Sequence, residues 1–260
     1  ASAGVSQGIA AANELERVIQ REGVDTVAMF IAEPVQGAGG VIVPPDDYFP
    51  RIREICNQYD VLLVADEVIT GFGRTGKLFA LNHWNVEPDI VQFAKAITSG
   101  YFPFGGIGIS DALADTQRAS NQPWMHAYTY SAHPVGCATA LRTLQIIKDE
   151  NFSTQAASKG QFLLGLLTTA LTGHPLVGDI RGKGLMCAVE LVENKSTKQS
   201  FPASKTVGLQ VQRKALERGL VSRVKGDSFL LAPPIVISEE QLEQTVNILS
   251  QAIGDVTSSL

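Results

Sequence analysis

The segment VLLVAD at residues 61–66 is an unbroken apolar run that ends on an acidic residue. Such a run is too continuous to have a solvated face, so it predicts a strand buried inside a parallel sheet. Other short apolar segments predict further strands, and amphipathic helices lie between several of them. The alternation of strand and helix is typical of a doubly wound α/β sheet. The predicted strands are 26–34, 61–66, 89–95 and 105–110, and the predicted helices are 11–22, one that starts after a cap at Asp46 or Asp47, and 133–150.

The pattern of elements changes near residue 150. Beyond it, two helices and several strands alternate irregularly, and a last helix is predicted from the capping box of Ser238 and Gln241. We therefore predict two domains. Residues 1–150 form the C-terminal portion of a large domain with a mainly parallel sheet, and residues 151–260 form a smaller α+β domain. The elements of the second part are helices at 153–171 and 204–218 and strands within 176–192 and 229–237.

Composition excludes several classes of protein. The net charge of −5 lacks the basic footprint of a nucleic-acid binder. No apolar run reaches 18 residues, so no membrane span is expected. Three distant cysteines show neither a disulfide framework nor zinc-ligand spacing, so we expect a reducing compartment and no metal site. The first residues, ASAGVSQGIA, lack the pattern of a signal peptide, and a cytoplasmic location is the expectation.

Two residues in the first part suit the chemistry of pyridoxal phosphate. Asp66 ends one predicted strand, and Lys95 ends another about one βα unit later. A lysine can form a Schiff base with the cofactor, and a carboxylate can keep a proton on its pyridine nitrogen. Because small and apolar residues flank Lys95, we expect its amine to be partly desolvated.

Each of these residues also has a simpler interpretation. Lys95 alone would be a surface lysine, and Asp66 could be a turn or capping aspartate. Val68 could pack on the cofactor ring or belong to the core. The loops GFGRTG and QGAGG lack the spacing of a nucleotide fingerprint, which makes a nucleotide-binding domain a minor alternative. Arg74 within the first loop is interpreted as a structural arginine paired with Glu33 or Asp66.

Taken together, five segments resemble the class III (ω-) aminotransferases of pyridoxal phosphate fold type I. The similarity runs in order from about residue 11 to the C-terminus. The segments are EPVQGAGGVIVPP, LLVADEVITGFGRTG, FAKAITSGYFPFGG, HAYTYSAHPVGCA and SRVKGDSFLLAPPIVIS.

This resemblance implies roles for individual residues. Lys95 would be the Schiff-base lysine, Asp66 the partner of the pyridine nitrogen, and Val68 a contact of the ring. Thr129 matches a threonine that reaches the cofactor phosphate of a neighbouring subunit, with Tyr128 beside it. A homodimer with its active site at the interface is therefore implied.

The resemblance also implies a substrate class. Arg223 matches a mobile arginine that grips a substrate carboxylate. Relatives that use 2-oxoglutarate carry a glutamate at the position of Ala38 and a glutamine at that of Ile69. Both departures favour the branch of ω-amine and β-alanine:pyruvate transaminases, which move an amino group from an ω-amine or ω-amino acid to a 2-oxo acid by a ping-pong mechanism.

One part of the family pattern is not found in these residues. The N-terminal half, which holds a Gly-Ser/Thr turn for the phosphate and an aromatic residue for the ring, has no counterpart, so we expect a missing N-terminal piece and poor cofactor binding by the 260 residues alone. Alternatives are an aminomutase, racemase or decarboxylase on the same scaffold, or an inactive fragment.

Overall fold

A computed structural model describes residues 5–260 of the chain, which divide into two units. The first unit comprises residues 5–34, Pro44–Gly73 and Lys77–Asn151. The second comprises Phe152–Leu260 together with two short segments from earlier in the chain, Val35–Val43 and Arg74–Gly76.

The first unit contains four α-helices and four strands among its described residues. The helices are Gln7–Glu22 (α1), Tyr48–Gln58 (α2), Asp111–Ala119 (α3) and Pro134–Asp149 (α4). The strands are Met29–Ala32 (β1), Leu62–Asp66 (β2), Ile90–Phe93 (β3) and Gly106–Ile109 (β4). Helix α3 was not predicted; it has nine residues, and none of them is buried.

The sheet of the first unit has the strand order β1-β2-β3-β4. Strands β1, β2 and β3 are parallel, and β4 runs antiparallel to β3. The predicted mainly parallel sheet is therefore confirmed. Because the parallel strands are in register, with Ala32 opposite Ala65 and Asp66 opposite Gln92, their carboxyl ends lie along one edge of the sheet.

Helices α1 and α2 supply much of the core of the first unit. Ile19 of α1 and Phe49, Ile52 and Ile55 of α2 are buried, as is Leu63 of β2. Such apolar burial stabilises the folded state by roughly 1.5–3 kcal/mol for each large side chain.

The start of α2 differs from the sequence prediction. Asp47 is the N-cap residue, but its side chain makes no capping hydrogen bond. It accepts a hydrogen bond from the hydroxyl of Ser6, and the Ser6 oxygen in turn caps α1 by accepting from Ile9 N at 3.1 Å. The predicted side-chain cap is therefore wrong, because the carboxylate serves the neighbouring helix.

The second unit has an antiparallel sheet with the strand order β5-β6-β8-β7. Its strands are Val177–Lys183 (β5), Met186–Leu191 (β6), Arg223–Lys225 (β7) and Ser228–Leu231 (β8). Its helices are Phe152–Leu171 (α5), Val207–Glu217 (α6) and Glu239–Thr257 (α7). The capping box of α7 is confirmed, since Ser238 Oγ accepts from Gln241 N at 3.2 Å and Gln241 Oε1 accepts from Ser238 N at 3.0 Å.

Two glycines allow backbones of the second unit to touch. A Cβ atom on Gly160 of α5 would lie 2.2 Å from the carbonyl carbon and oxygen of Gly184, in the β5–β6 turn. Gly184 has a left-handed φ of +55°, and a Cβ on it would lie 2.4 Å from the carbonyl carbon of Thr75. Glycine at both positions is therefore required by close backbone packing.

Arg181 of β5 binds the loop 36–42 within the second unit. Its Nη2 donates to Gly40 O at 2.7 Å, and its Nε donates to Gly40 O and Val41 O at 3.1 Å. Its Nη1 bonds to Asp179 at 2.8 Å and Glu190 at 2.5 Å. The loop is itself closed by paired hydrogen bonds between Gln36 and Ile42.

None of the described helices combines the length and apolarity needed to cross a bilayer.

Candidate active site

Asp66 is the last residue of β2, and the strand before it is almost entirely buried. Leu63, Val64 and Ala65 have less than a twentieth of their surface exposed, which brings the half-buried Asp66 carboxylate to the carboxyl edge of the sheet. Its Oδ1 accepts a hydrogen bond from Val68 N at 3.1 Å. This bond fixes the carboxylate against its own turn and leaves Oδ2 as the oxygen that can meet a ligand.

Lys95 follows the neighbouring strand β3 at the same edge. Gln92 of β3 lies opposite Asp66, and Lys95 comes three residues later. The predicted strand through Lys95 is wrong in detail, because β3 ends at Phe93 and Lys95 opens a short 3₁₀ turn, Lys95–Thr98. Lys95 has a left-handed φ of 50°. Its side chain is exposed, so the expected desolvation is not seen in this chain.

A groove of about 480 Å³ lies beside these strand ends. It is lined by residues of the first unit only: Val68, Gln92, Phe93, Gly105, Gly106, Ile107, Trp124, His126, Tyr128 and Ser131. A Cβ on Gly106 would lie 2.9 Å from the Phe93 ring, so glycine there lets the ring close the floor of the groove. Val68 and Tyr128, two of the predicted cofactor contacts, thus line one concave surface.

Glu67, next to Asp66, is a buried carboxylate that the sequence analysis missed. It is 1% exposed, and it accepts hydrogen bonds from Leu81 N at 3.0 Å and from the Thr70 hydroxyl. Burial raises its pKa above the usual range, the hydrogen bonds oppose this rise, and the adjacent Asp66 charge adds to it. A second acidic residue directly after an apolar strand was the signal that could have identified it.

Tyr128 and Thr129 lie in an exposed turn before α4. Tyr128 N donates to Ser131 Oγ at 2.9 Å, and its ring lies edge-on to His126 with centroids 5.2 Å apart. His133 ends the segment as the N-cap of α4, where its Nδ1 accepts from Val135 N at 3.3 Å. The structure thus presents Thr129 to solvent on the first unit.

Arg223 belongs to the second unit. It is the first residue of β7, which is an edge strand, and its side chain is exposed. An edge position leaves its guanidinium free of neighbouring strand side chains on one side.

Arg74 also belongs to the second unit and is partly buried. Its Nη1 donates to the carbonyl oxygen of Pro233, and burial lowers the pKa of its guanidinium. This bond gives Arg74 a structural function, tying the loop 74–76 to the turn that follows β8.

The residues at the carboxyl edge fit pyridoxal phosphate by their chemistry. A carboxylate (Asp66) can hold a protonated pyridine nitrogen, an exposed primary amine (Lys95) can reach an aldehyde, and an apolar side chain (Val68) in a groove can cover a flat ring. A metal centre has no such support, because no cluster of three or more His, Cys, Asp or Glu side chains occurs between residues 5 and 260.

Comparison with known proteins identifies the family. The family model described as Aminotransferase class-III matches residues 4–253. The putrescine–pyruvate aminotransferase of Pseudomonas aeruginosa is 40% identical over 253 residues, which cover 97% of this chain and 55% of that protein. The mitochondrial gamma-aminobutyrate transaminase 1 of Oryza sativa subsp. indica is 41% identical over 246 residues, which cover 93% of this chain and 47% of that protein. The chain thus spans about half the length of these relatives.

Solved structures agree with the sequence comparison. An (S)-enantioselective ω-transaminase from Thermomicrobium roseum superposes with a TM-score of 0.92 at 46% identity, over 98% of this chain and 57% of that one. A PLP-bound amine transaminase from an uncultivated Pseudomonas species superposes with a TM-score of 0.92 at 40% identity, over 96% and 56%. The predicted fold type I and the predicted family are both confirmed. The chain belongs to the class III aminotransferases, a family of enzymes that use pyridoxal phosphate.

Proposed function

We propose that the complete protein is a transaminase that moves an amino group from an ω-amine or ω-amino acid to pyruvate by a ping-pong mechanism. The observation that carries this proposal is the position of Asp66 and Lys95. They follow two neighbouring parallel strands at one edge of the sheet, beside a groove. Functional groups of open α/β sheets gather at this edge.

Asp66 and Lys95 then have separate tasks. Pyridoxal phosphate, when bound, supplies an aldehyde that takes up the amino group and a ring that withdraws electrons from the substrate carbon. The Asp66 carboxylate holds a proton at the pyridine nitrogen, and its bond to Val68 N keeps it oriented for this task. Lys95 Nζ would hold the cofactor, and as a free amine it would take the proton from the substrate Cα as a general base and then donate it as a general acid.

Pyruvate as the acceptor is supported by two residues and by one relative. Ala38 in the loop 36–42 and Ile69 after β2 replace the polar residues expected of 2-oxoglutarate users. A relative with 40% identity is named a putrescine–pyruvate aminotransferase. Ala38→Glu should raise the use of 2-oxoglutarate relative to pyruvate, measured as the ratio of their kcat/KM values. Unchanged kinetics with both acceptors would refute the proposed role of Ala38 in the choice of pyruvate as the acceptor.

Arg223 is proposed as the group that binds the carboxylate of the oxo acid. Its planar guanidinium can form two parallel hydrogen bonds to a carboxylate. Arg223→Ala should raise KM for pyruvate strongly and leave KM for an amine donor without a carboxylate nearly unchanged. An equal rise for both substrates would assign Arg223 a structural role instead.

We also propose a homodimer. Between residues 101 and 141 of the first unit, seven large apolar side chains are each more than half exposed: Tyr101, Trp124, Met125, Tyr128, Tyr130, Val135 and Leu141. So much exposed apolar surface on one segment is typical of an interface. Leu141→Glu should reduce the sedimenting mass to that of a monomer, whereas Leu216→Glu, at an exposed leucine of the second unit, should not. A dimeric Leu141→Glu variant would contradict this interface.

The central test uses the complete protein, its cofactor and borohydride. We expect borohydride to trap the cofactor on one peptide, with mass spectrometry locating it at Lys95. Lys95→Ala should give no adduct, and the wild-type protein with an amine donor should release the cofactor as its amino form. An adduct at another lysine, or none on the wild-type protein, would refute the proposed function.

A further inference from the structure

The turn that carries Lys95 is held in an unusual backbone conformation. Lys95 and Ser99 have left-handed φ angles of 50° and 51°, and Gly100 has a φ of 80°. A non-glycine residue in this region is strained and persists only where its surroundings enforce it. Something in the turn therefore fixes the direction in which the exposed Lys95 side chain leaves the backbone.

We propose that Thr98 is the positioning residue for Lys95, an inference that rests on the proposed function of Lys95. Thr98 lies at the end of the 3₁₀ turn and is 1% exposed. Its Oγ1 donates a hydrogen bond of 2.6 Å to the carbonyl oxygen of Phe102. Its own carbonyl accepts from Tyr101 N at 3.0 Å. The side chain and the backbone of Thr98 thus close the same loop, immediately after the lysine.

Burial makes this hydroxyl hard to replace. Ile97 and Thr98 form the buried side of the turn, whereas Lys95 and Ser99 are exposed. The bond to the Phe102 carbonyl is partly buried, so removing the hydroxyl leaves a partly desolvated acceptor without its donor. We expect the backbone of the turn to relax when this bond is lost, which moves Lys95.

The far end of the bond is fixed to helix α4. The Phe102 ring packs against the ring of His133, the N-cap of α4, with centroids 5.2 Å apart and an interplanar angle of 31°. A Cβ on Gly136 of α4 would lie 2.9 Å from the Phe102 ring, so the helix and the ring are in tight contact. The Thr98 hydroxyl therefore anchors the Lys95 turn to a helix and not merely to another loop.

The experiment compares variants that differ by a single hydroxyl. Thr98→Val keeps the side-chain shape and loses the hydroxyl, while Thr98→Ser and Thr98→Ala form a second pair that lacks the methyl group in both members. Thr168→Val is the control, because Thr168 Oγ1 also donates to a backbone carbonyl, Leu164 O at 2.7 Å, but on the exposed side of α5.

Three measurements separate positioning from simple stability. In the apoprotein, hydrogen exchange of the Ser99 and Tyr101 amides should accelerate in Thr98→Val and Thr98→Ala only. In the holoenzyme, the pH midpoint of the visible absorbance of the cofactor bound to Lys95 should shift in the same two variants. Their kcat should fall roughly tenfold to hundredfold, as expected for a misplaced reacting group, with KM nearly unchanged.

The outcomes distinguish this inference from the function on which it rests. Wild-type midpoint and kcat in Thr98→Val, or an equal loss in Thr98→Ser and Thr98→Ala, would overturn the positioning role. If Thr98→Val does not fold, the Ser and Ala pair decides alone. If the wild-type holoenzyme gives no trapped adduct at Lys95, the proposed function fails, and the inference fails with it.

Discussion

Two glycines of the same helix should respond in opposite directions to the same substitution. Gly160 and Gly165 both lie in α5. A Cβ on Gly165 would meet no atom within 4 Å, whereas a Cβ on Gly160 would lie 2.2 Å from the Gly184 carbonyl. Alanine is favoured over glycine inside a helix by about 1 kcal/mol, and this gain applies equally at both positions.

The two substitutions therefore differ only in the clash. Gly165→Ala should raise the free energy of unfolding by about 1 kcal/mol. At Gly160, a contact of 2.2 Å forces one of two packed backbones to move by more than 1 Å to reach normal separation. Overpacking of a well-packed site typically costs about 1–3 kcal/mol and sometimes more, so Gly160→Ala should be destabilising despite its helix gain.

Thermal and urea unfolding followed by circular dichroism would measure both variants. For a protein of this size each kcal/mol shifts Tm by roughly 2–4 °C, so the two midpoints should move apart by several degrees. Gly184→Ala should resemble Gly160→Ala, because Gly184 has a positive φ and contacts Thr75. A Gly160→Ala variant as stable as Gly165→Ala would refute the close backbone packing described for the β5–β6 turn.

Three further predictions concern charged and thiol groups. Burial raises the pKa of Glu67 above its usual value of 4.5, so its stabilising contribution is full below that pH and is lost as the pH rises through the folded-state pKa. Over that range, the difference in unfolding free energy between the wild type and Glu67→Gln should shift in favour of Gln. A difference that does not change with pH would contradict this. Arg181→Lys should lower the free energy of unfolding by about 1–3 kcal/mol in urea titrations. An ammonium cannot reproduce the planar guanidinium, which binds loop carbonyls and carboxylates at the same time. Wild-type stability of this variant would show that the guanidinium geometry is not needed. Burial raises the pKa of Cys56 to about 11 and that of Cys187 to about 12. A thiol reagent at pH 8 should therefore label Cys137 first and the other two cysteines only on unfolding, as followed by mass spectrometry. Rapid labelling of Cys187 in the native protein would show that its site opens.

The sequence predicted those features that depend on local patterns. The apolar run before Asp66 identified a buried parallel strand, and Ser238 with Gln241 identified the start of α7, because both signals act over a few residues. The Asp47 cap failed, since the carboxylate bonds to Ser6, 41 positions away. A capping residue that finds a distant partner cannot be recognised from its immediate neighbours.

The residues of the candidate site also divide into those indicated by local sequence patterns and those that depend on long-range contacts. Asp66 and Lys95 could be named because each follows an apolar strand, and the family resemblance agreed. Thr98 could not be named, because its proposed role depends on the carbonyl that it contacts and on its own burial. Arg181 was likewise missed, since nothing near residue 181 in the sequence indicates that it binds residue 40. Long-range contacts of this kind are set by packing and not by propensity.

The bond between Arg181 and Gly40 has a consequence for the order in which the protein is made. It joins residues 141 positions apart. At the usual elongation rates of about 5–20 residues per second, the loop 36–42 emerges from the ribosome roughly 7–28 s before the side chain that binds it. During that interval the first unit can be synthesised through Asn151 while the loop has no anchor. The glycine-rich loop therefore docks late on the nascent chain, and Val41, which is buried in the folded protein, stays accessible until then.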